Sequence, residues 1–309
     1  MIVAPIVISL REGIEAALII AIMLSYLRKT GRENMTRLVI GGTLLAFAAS
    51  AGLAAVMAIV WGAFEGPMLG VFEGLIVIIA ALLLTSMIFW MWRAGAGIAK
   101  EIEESVEEGA KVRNFSLPIL AFALVLREGV ELVLFTAALA IQEGYTTYIG
   151  VTLGLMLAGV VGFGIYEGSL RISLKSFFNF TSVLLVLFAA GMIAYGIHEF
   201  QEAGFLLLGP LEVWNINPPL LPDGSYPLLH EKGFIGGIAK ALFGYNGNPS
   251  ALEVTGYLVY LALVSLSYLR AKARFRLAPR RLVIRVNIVR AKEEPLRTDP
   301  TDANWMRNP

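Results

Sequence analysis

The chain has no cysteine and only two histidines among its 309 residues. The absence of thiols excludes disulfides, thiolate metal sites, iron–sulfur clusters and cysteine nucleophiles. Charged residues are also scarce at 16%, whereas 57% of the residues are apolar and the mean hydropathy is +0.71, a composition typical of membrane proteins. The net charge of +1 gives no indication of nucleic-acid binding. Any bound metal would therefore be held by oxygen atoms or by the two histidines.

Long apolar segments dominate the sequence. A helix needs roughly 20 apolar residues to cross a hydrocarbon core of about 30 Å. Seven segments meet this length, approximately 2–27, 38–62, 69–92, 117–141, 148–170, 177–200 and 251–270. The first segment does not resemble a signal peptide, because no basic region precedes it and Arg11, Glu12 and Glu15 interrupt its apolar run. We therefore predict an all-α integral membrane protein with seven transmembrane helices.

Lysine and arginine are distributed unequally between the two sides of these segments. Twenty-one of them lie in the connections after the first, third and fifth helices and in the tail, whereas two lie in the alternate connections. Because basic residues accumulate on the cytoplasmic side, the amino terminus is predicted outside and the carboxyl terminus inside. This orientation makes 93–116 a cytoplasmic connection, 201–250 an extracytoplasmic loop and 271–309 a basic cytoplasmic tail.

One charged motif occurs twice inside the apolar segments. Leu-Arg-Glu-Gly-Ile-Glu occupies residues 10–15, and Leu-Arg-Glu-Gly-Val-Glu occupies residues 126–131. The copies lie in the first and the fourth segments, three positions apart in the order of the helices, and this odd number makes the two motif helices run in opposite directions. Residues 1–92 and 117–200 are therefore predicted to form a 3+3 inverted repeat, with 251–270 as an additional seventh helix. Inverted repeats place the transported species near the membrane midplane.

The charges of both motifs lie on one face of their helices, within an arc of about 100°. Each would cost about 2.5–3.5 kcal/mol if it faced lipid, so the motifs are expected to point inward. Arg11 can pair with Glu15, and Arg127 with Glu131, one turn apart. Four carboxylates and two guanidiniums leave a net charge of −2, which predicts a cation site with these ligands: Glu12, Glu15, Glu128 and Glu131. The alternative is that each Arg–Glu pair only stabilises a polar helix interface.

Glycine separates the two glutamates in each motif, as Gly13 and Gly129. It allows either a close approach of a neighbouring helix or a local loosening that frees carbonyl oxygens. The sequence leaves both uses open.

Further polar residues cluster at the predicted outer ends of the helices. They are expected to form a vestibule that concentrates cations before the central site, and ordinary interfacial solvation is the alternative. These residues are Glu65 and Glu73 around the start of the third helix, and His198, Glu199 and Glu202 at the end of the sixth.

Carboxylate ligands favour hard cations, among them magnesium, calcium, manganese and ferric iron. The doubled Arg-Glu-Gly-x-Glu motif resembles the oxidase-dependent iron transporter family, the high-affinity iron permeases. Other segments resemble its bacterial and archaeal branch: Phe72-Glu73-Gly74, Met87-Ile-Phe-Trp90-Met91, His198-Glu-Phe-Gln-Glu202-Ala-Gly, and Gly244-Tyr245 leading through Pro249 into the last helix. The resemblance covers about residues 1–270.

The resemblance implies iron import across the plasma membrane, with iron as the transported substrate and no cofactor. The four motif glutamates would handle the iron, and Arg11 and Arg127 would orient them and balance their charge. Expected partners are membrane lipid, a separate oxidase or extracytoplasmic delivery protein, and a second copy of the chain. Three alternatives stay open: a transporter of manganese or lead, a non-transporting sensor, and an intramembrane carboxylate-metal enzyme. The enzyme is disfavoured because the chain has no Glu-x-x-His pair.

Overall fold

A computed structural model describes residues 2–94, 102, 104–107, 116–166 and 174–277. Within these ranges the regular structure is helical, and no strand occurs. The long helices and one shorter helix are α1 (Val3–Lys29), α2 (Thr36–Trp61), α3 (Pro67–Ala94), α4 (Ser116–Glu143), α5 (Thr146–Tyr166), α6 (Leu174–Glu202), α7 (Phe234–Phe243) and α8 (Ala251–Leu277). The chain divides into two compact units, Met1–Tyr268 and Leu269–Pro309, and the packing described below belongs to the first.

Among the residues that the structure describes, five helices are long and apolar enough to cross a membrane, which confirms the all-helical class and its capacity to span a bilayer. They are α2, α3, α5, α6 and α8. The helices α1 and α4, with 27 and 28 residues, are as long as these five helices. Each of them, however, carries the three charged residues of a motif near its middle. Seven spans therefore stay a prediction. Most of the predicted cytoplasmic connection 93–116, and the tail beyond Leu277, lie outside the described residues.

The segment between α6 and α8 contains structure that the hydropathy pattern does not indicate. It includes α7, which packs against α6 and also contacts α1. Gly244 ends α7 in a left-handed conformation, with φ of 68°. A Cβ on Gly191 would lie only 2.6 Å from the Cα of Gly244. Gly191 is the central residue of the apolar span Phe180–Glu202, so this segment reaches halfway along that span.

Two clusters of buried apolar side chains enclose the charged motifs. Core cluster A includes Ala4 and Ile8 of α1, Phe135, Ala138 and Leu139 of α4, and side chains from α3, α6 and α8. Core cluster B includes Ile19, Met23 and Leu27 of α1, Val39 and Ala46 of α2, and Leu117, Ala121 and Val125 of α4. Along both α1 and α4, the motif lies between residues of cluster A and residues of cluster B. The charges therefore occupy a polar layer between two apolar ones.

Small residues set the distances between the motif helices and their neighbours. A Cβ on Gly13 would lie 2.5 Å from the Ala158 side chain of α5. On α4, a Cβ on Gly129 would fall on the Ser50 side chain of α2. Both α1 and α4 continue as helices through these glycines. Of the two uses that the sequence leaves open, the structure therefore shows close helix approach.

Two adjacent glycines in α2 provide a matched test of this packing. A Cβ on Gly42 would fall on the backbone carbonyl of Pro118 in α4, whereas a Cβ on Gly41 would meet nothing within 4 Å. Gly42→Val should lower the free energy of unfolding by about 1–3 kcal/mol more than Gly41→Val, because an overpacked helix contact must separate. Thermal unfolding of the two variants in detergent measures the difference. Equal losses would show that valine in this helix, rather than the contact with Pro118, causes the effect.

Candidate metal centre

The charged motifs are buried in the polar layer between core clusters A and B. The side chain of Arg11 is 0% exposed and that of Glu12 is 1% exposed. Glu15 and Glu128 are also buried, while Glu131 is partly buried. Charged side chains are rarely buried to this degree without a partner. Arg11 and the glutamates Glu12, Glu15 and Glu128 therefore lie inside the helix bundle, whereas the side chain of Arg127 is 42% exposed.

Three of the four motif glutamates converge across the interface between α1 and α4. One oxygen each from Glu12, Glu15 and Glu128 lies within 4.8 Å of the other two. A hard cation binds carboxylate oxygens at about 2.0–2.6 Å, so oxygens at this separation can share one ion after small side-chain adjustments. Glu131 lies outside this triad and is held by Arg127 at 3.1 Å. The sequence-predicted ligands are thus brought together as a triad with one neighbour.

Each motif arginine pairs with both glutamates of its own motif. Arg11 lies 2.9 Å from Glu12 and 3.2 Å from Glu15. Arg127 lies 3.1 Å from Glu131 and 3.7 Å from Glu128. Both pairs expected from the one-turn spacing are present. The two arginines differ in exposure, since the side chain of Arg11 is fully buried and that of Arg127 is 42% exposed.

One buried oxygen of every motif glutamate makes no hydrogen bond among the described residues, although the Glu15 oxygen faces Arg11 at 3.2 Å in an ion pair. These buried atoms are Glu12 Oε2, Glu15 Oε1, Glu128 Oε2 and Glu131 Oε2. Buried polar atoms almost always have a partner, because leaving one unpaired costs about 1–3 kcal/mol. A cation between the motifs would supply that partner to several carboxylates at once. This arrangement is suited to binding a metal ion.

The helix α3 supplies uncharged partners to both arginines. The two terminal nitrogens of Arg11 contact the sulfur atoms of Met87 and Met91. The guanidinium of Arg127 lies over the ring of Trp90, 4.8 Å from its centroid. Sequence reasoning did not assign these three residues to the site, although their spacing of three and four residues places them on one helix face.

The residues predicted to form the outer vestibule make several separate contacts. Glu73 accepts a hydrogen bond from Trp61 at 2.8 Å, and it is close enough to Glu199 and Glu202 to interact electrostatically. His198 lies 3.2 Å from Glu202. Glu65 is exposed in the connection between α2 and α3. A cation-concentrating vestibule stays a prediction.

A polar cavity of about 100 Å³ lies beside His198, where the segment 201–250 meets α6 and α8. Its lining includes Gln142, Tyr195, His198, Glu231, Asn246 and Glu253. Glu253 is 3% exposed, and it binds His198 at 3.1 Å and Asn246 at 2.6 Å. The sequence analysis did not single out Glu253. A local signal was present, because Ser250 and Glu253 exchange hydrogen bonds as a capping box at the start of α8, but only the structure shows the contact with His198.

Comparison with known proteins points to a single protein family. The profile of the Iron permease FTR1 family matches residues 2–278. The chain belongs to the iron permease family. The expected family is confirmed, and the members compared below are bacterial and archaeal.

Three relatives of this iron permease family member illustrate the similarity. An uncharacterized protein of Archaeoglobus fulgidus is 37% identical over 279 residues, covering 87% of this chain and 96% of its own. The ferrous iron permease EfeU of Escherichia coli O157:H7 is 34% identical over 83% of this chain and 91% of its own. The corresponding protein of Yersinia pestis is 32% identical over 83% and 89%. No solved structure matches the chain significantly.

The carboxylate triad of this iron permease family member predicts a specific response to metal. Glu128→Gln should be at least as thermally stable as the wild type without metal, because an amide relieves repulsion among buried carboxylates. Ferrous iron at 100 times the Kd should stabilise the wild type by about 2.7 kcal/mol, and this stabilisation should be lost in the variant. Melting in detergent with and without iron measures both effects. The exposed Glu212→Gln is the matched control, and an unchanged iron response in Glu128→Gln would contradict the site.

Proposed function

We propose that this protein imports iron across the plasma membrane through the site formed by Glu12, Glu15 and Glu128, with Glu131 beside it. The observation that carries the proposal is the convergence of Glu12, Glu15 and Glu128, together with three buried carboxylate oxygens that lack a hydrogen-bond donor, one each from Glu12, Glu128 and Glu131. Membership of the iron permease family supports iron as the substrate. A donor set made only of carboxylates, without a Glu-x-x-His pair, favours transport over di-iron catalysis.

The charge of the site favours a divalent ion. Four glutamates and two arginines give a formal charge of −2, which one dication neutralises. Relatives named ferrous iron permease support the same choice. The ion proposed to occupy the site is therefore ferrous iron, bound by carboxylate oxygens as a transported substrate.

The order of the core clusters supports an inverted repeat. Along α1, residues of cluster A precede the motif and residues of cluster B follow it. Along α4 the order is reversed, since cluster B precedes the motif and cluster A follows it. Two helices that meet the same two layers in opposite order run in opposite directions. Helices α1–α3 and α4–α6 are accordingly proposed as the two halves of the repeat.

Helix packing supports the same symmetry. The most extensive contacts join α1 to α5, α2 to α4, and α3 to α6, and α1 also contacts α4. If the two halves are exchanged, the first two pairs replace each other and the last two are unchanged. A matching detail occurs at Gly42 and Gly150, because a Cβ on either would collide with a proline of the other half, Pro118 or Pro5.

The proposed mechanism is alternating access around this site, as inverted repeats permit. An ion entering from outside would replace the missing hydrogen-bond donors of the carboxylates, and the arginines would hold the carboxylates in place. Inward movement of positive charge is favoured by about 2.3 kcal/mol per charge for each 100 mV of membrane potential. The sequence contains no P-loop motif, so the potential or protons are the proposed driving force.

Orientation in the membrane can be tested directly because the chain has no cysteine. The proposal places the α1–α2 connection in the cytoplasm and the segment between α6 and α8 outside. In intact cells, a membrane-impermeant maleimide should label Ser225→Cys but label Thr30→Cys only after permeabilisation. Both positions are exposed. Labelling in the reverse order would overturn the proposed orientation.

Removal of single carboxylate charges tests the transport site. Glu12→Gln and Glu128→Gln should each reduce ferrous iron uptake into proteoliposomes at least about 100-fold, because each removes a charged ligand from a buried triad. The exposed Glu212→Gln should transport at the wild-type rate. Uptake of labelled iron is measured with excess manganese or lead as competitor.

The controls separate loss of transport from loss of folding. Each variant must elute as a single species and must reconstitute to the same density as the wild type. Normal uptake by both glutamine variants would refute the central site. Manganese that is transported in preference to iron would retain the site but replace the substrate.

A further inference from the structure

We infer that Met87, Trp90 and Met91 of α3 are positioning residues for transport, holding the arginines of both motifs so that the glutamates stay able to bind a cation. This inference rests on the proposed transport site. It adds a third helix to a site otherwise built from α1 and α4, and it gives a role to side chains that carry no charge.

The contacts of Arg11 are divided between charged and uncharged partners. Its guanidinium is fully buried and donates to Glu12 at 2.9 Å. The same two terminal nitrogens that face Glu12 and Glu15 also donate to the sulfur atoms of Met87 and Met91. Its Nε has no hydrogen-bond partner among the described residues. The thioethers therefore share the donors of Arg11 with the carboxylates.

A thioether is suited to this sharing because it is a weak, uncharged acceptor. A carboxylate in its place would add charge and compete strongly for the guanidinium. An aliphatic side chain would accept nothing, so the terminal N–H groups would turn fully to Glu12 and Glu15. Weak acceptors keep the guanidinium in place without increasing its hold on the two glutamates. Those glutamates then exchange the arginine for a cation at a smaller cost.

Arg127 is held by a similar kind of partner. Its guanidinium lies over the Trp90 ring at 4.8 Å from the centroid while it pairs with Glu131. A cation–π contact attracts the guanidinium without offering a carboxylate. Residues 87, 90 and 91 share one helix face, so α3 contacts the arginines of both motifs at once. Cation affinity should therefore depend on α3.

The experiment compares iron uptake kinetics in proteoliposomes. Met87→Leu combined with Met91→Leu removes both sulfur acceptors at similar volume. The KM for ferrous iron should rise about threefold to tenfold, because Arg11 then competes more strongly for the carboxylates, while the maximal rate stays within about twofold. Met68→Leu, on the same helix and 55% exposed, is the matched control and should leave the KM unchanged.

Replacement of both methionines by glutamine distinguishes a positioning role of these residues from a packing role. Glutamine at positions 87 and 91 restores an unbranched side chain with an acceptor oxygen, and the KM should return toward the wild-type value. A packing role predicts the opposite order, with the leucine variant normal and the glutamine variant impaired. A wild-type KM in the leucine variant, or no recovery with glutamine, would overturn the inference for Arg11.

A second pair of variants covers the other arginine. Trp90→Phe keeps an aromatic face and should keep a KM near the wild-type value, whereas Trp90→Leu should raise it. Equal KM values for these variants would overturn the inference for Arg127. Failure of the transport site itself is recognised separately, because Glu12→Gln would then transport normally. An inactive Glu12→Gln together with a wild-type KM in both leucine variants would reject only the role of α3.

Discussion

The cost of placing six charges inside an apolar helix bundle is the constraint on which the rest of the structure depends. The two arginines and four glutamates are surrounded by core clusters A and B, so their charges are balanced mainly within the site. Close helix approach through Gly13 and Gly129 brings other helices against the motif helices, and α3 adds sulfur and aromatic partners for the arginines. The available hydrogen-bond donors are nevertheless too few, and one buried oxygen each of Glu12, Glu128 and Glu131 has no donor among the described residues.

The two motifs are nearly identical in sequence but differ in their surroundings. The side chain of Arg11 is fully buried between Glu12, Glu15 and two methionines, whereas that of Arg127 is 42% exposed and lies beside Trp90. The two motifs, almost the same in sequence, therefore have different surroundings in the structure. A transporter built from two related halves needs this property, because a site that alternates between two sides is open toward only one of them at a time. The unequal exposure of the two arginines is the feature of this fold that agrees with such a cycle.

The segment between α6 and α8 is a structural part of the bundle. Gly244 contacts Gly191 at the middle of the apolar span of α6. Glu253, in the lining of the cavity, is hydrogen-bonded to both His198 and Asn246. Backbone that lies at membrane depth without continuous helix is tolerated when protein surrounds it and its polar groups are bonded. The hydrogen bonds of Glu253 meet that condition near the start of α8. Hydropathy alone predicts only a loop here, because it does not report which helix a glycine contacts.

The sequence by itself identified the family, through the resemblance carried by the doubled motif. It also determined the all-helical class and the Arg–Glu pairs, because these follow from composition and helical spacing. It also identified the four glutamates, whose role as metal ligands is still a proposal. Only the tertiary structure decided that Glu12, Glu15 and Glu128 converge without Glu131, and that the two arginines are unequally exposed. It alone placed Met87, Trp90 and Met91 beside the arginines and Glu253 beside His198. These contacts join residues tens of positions apart, and helix packing sets them, so no local pattern in the sequence could reveal them.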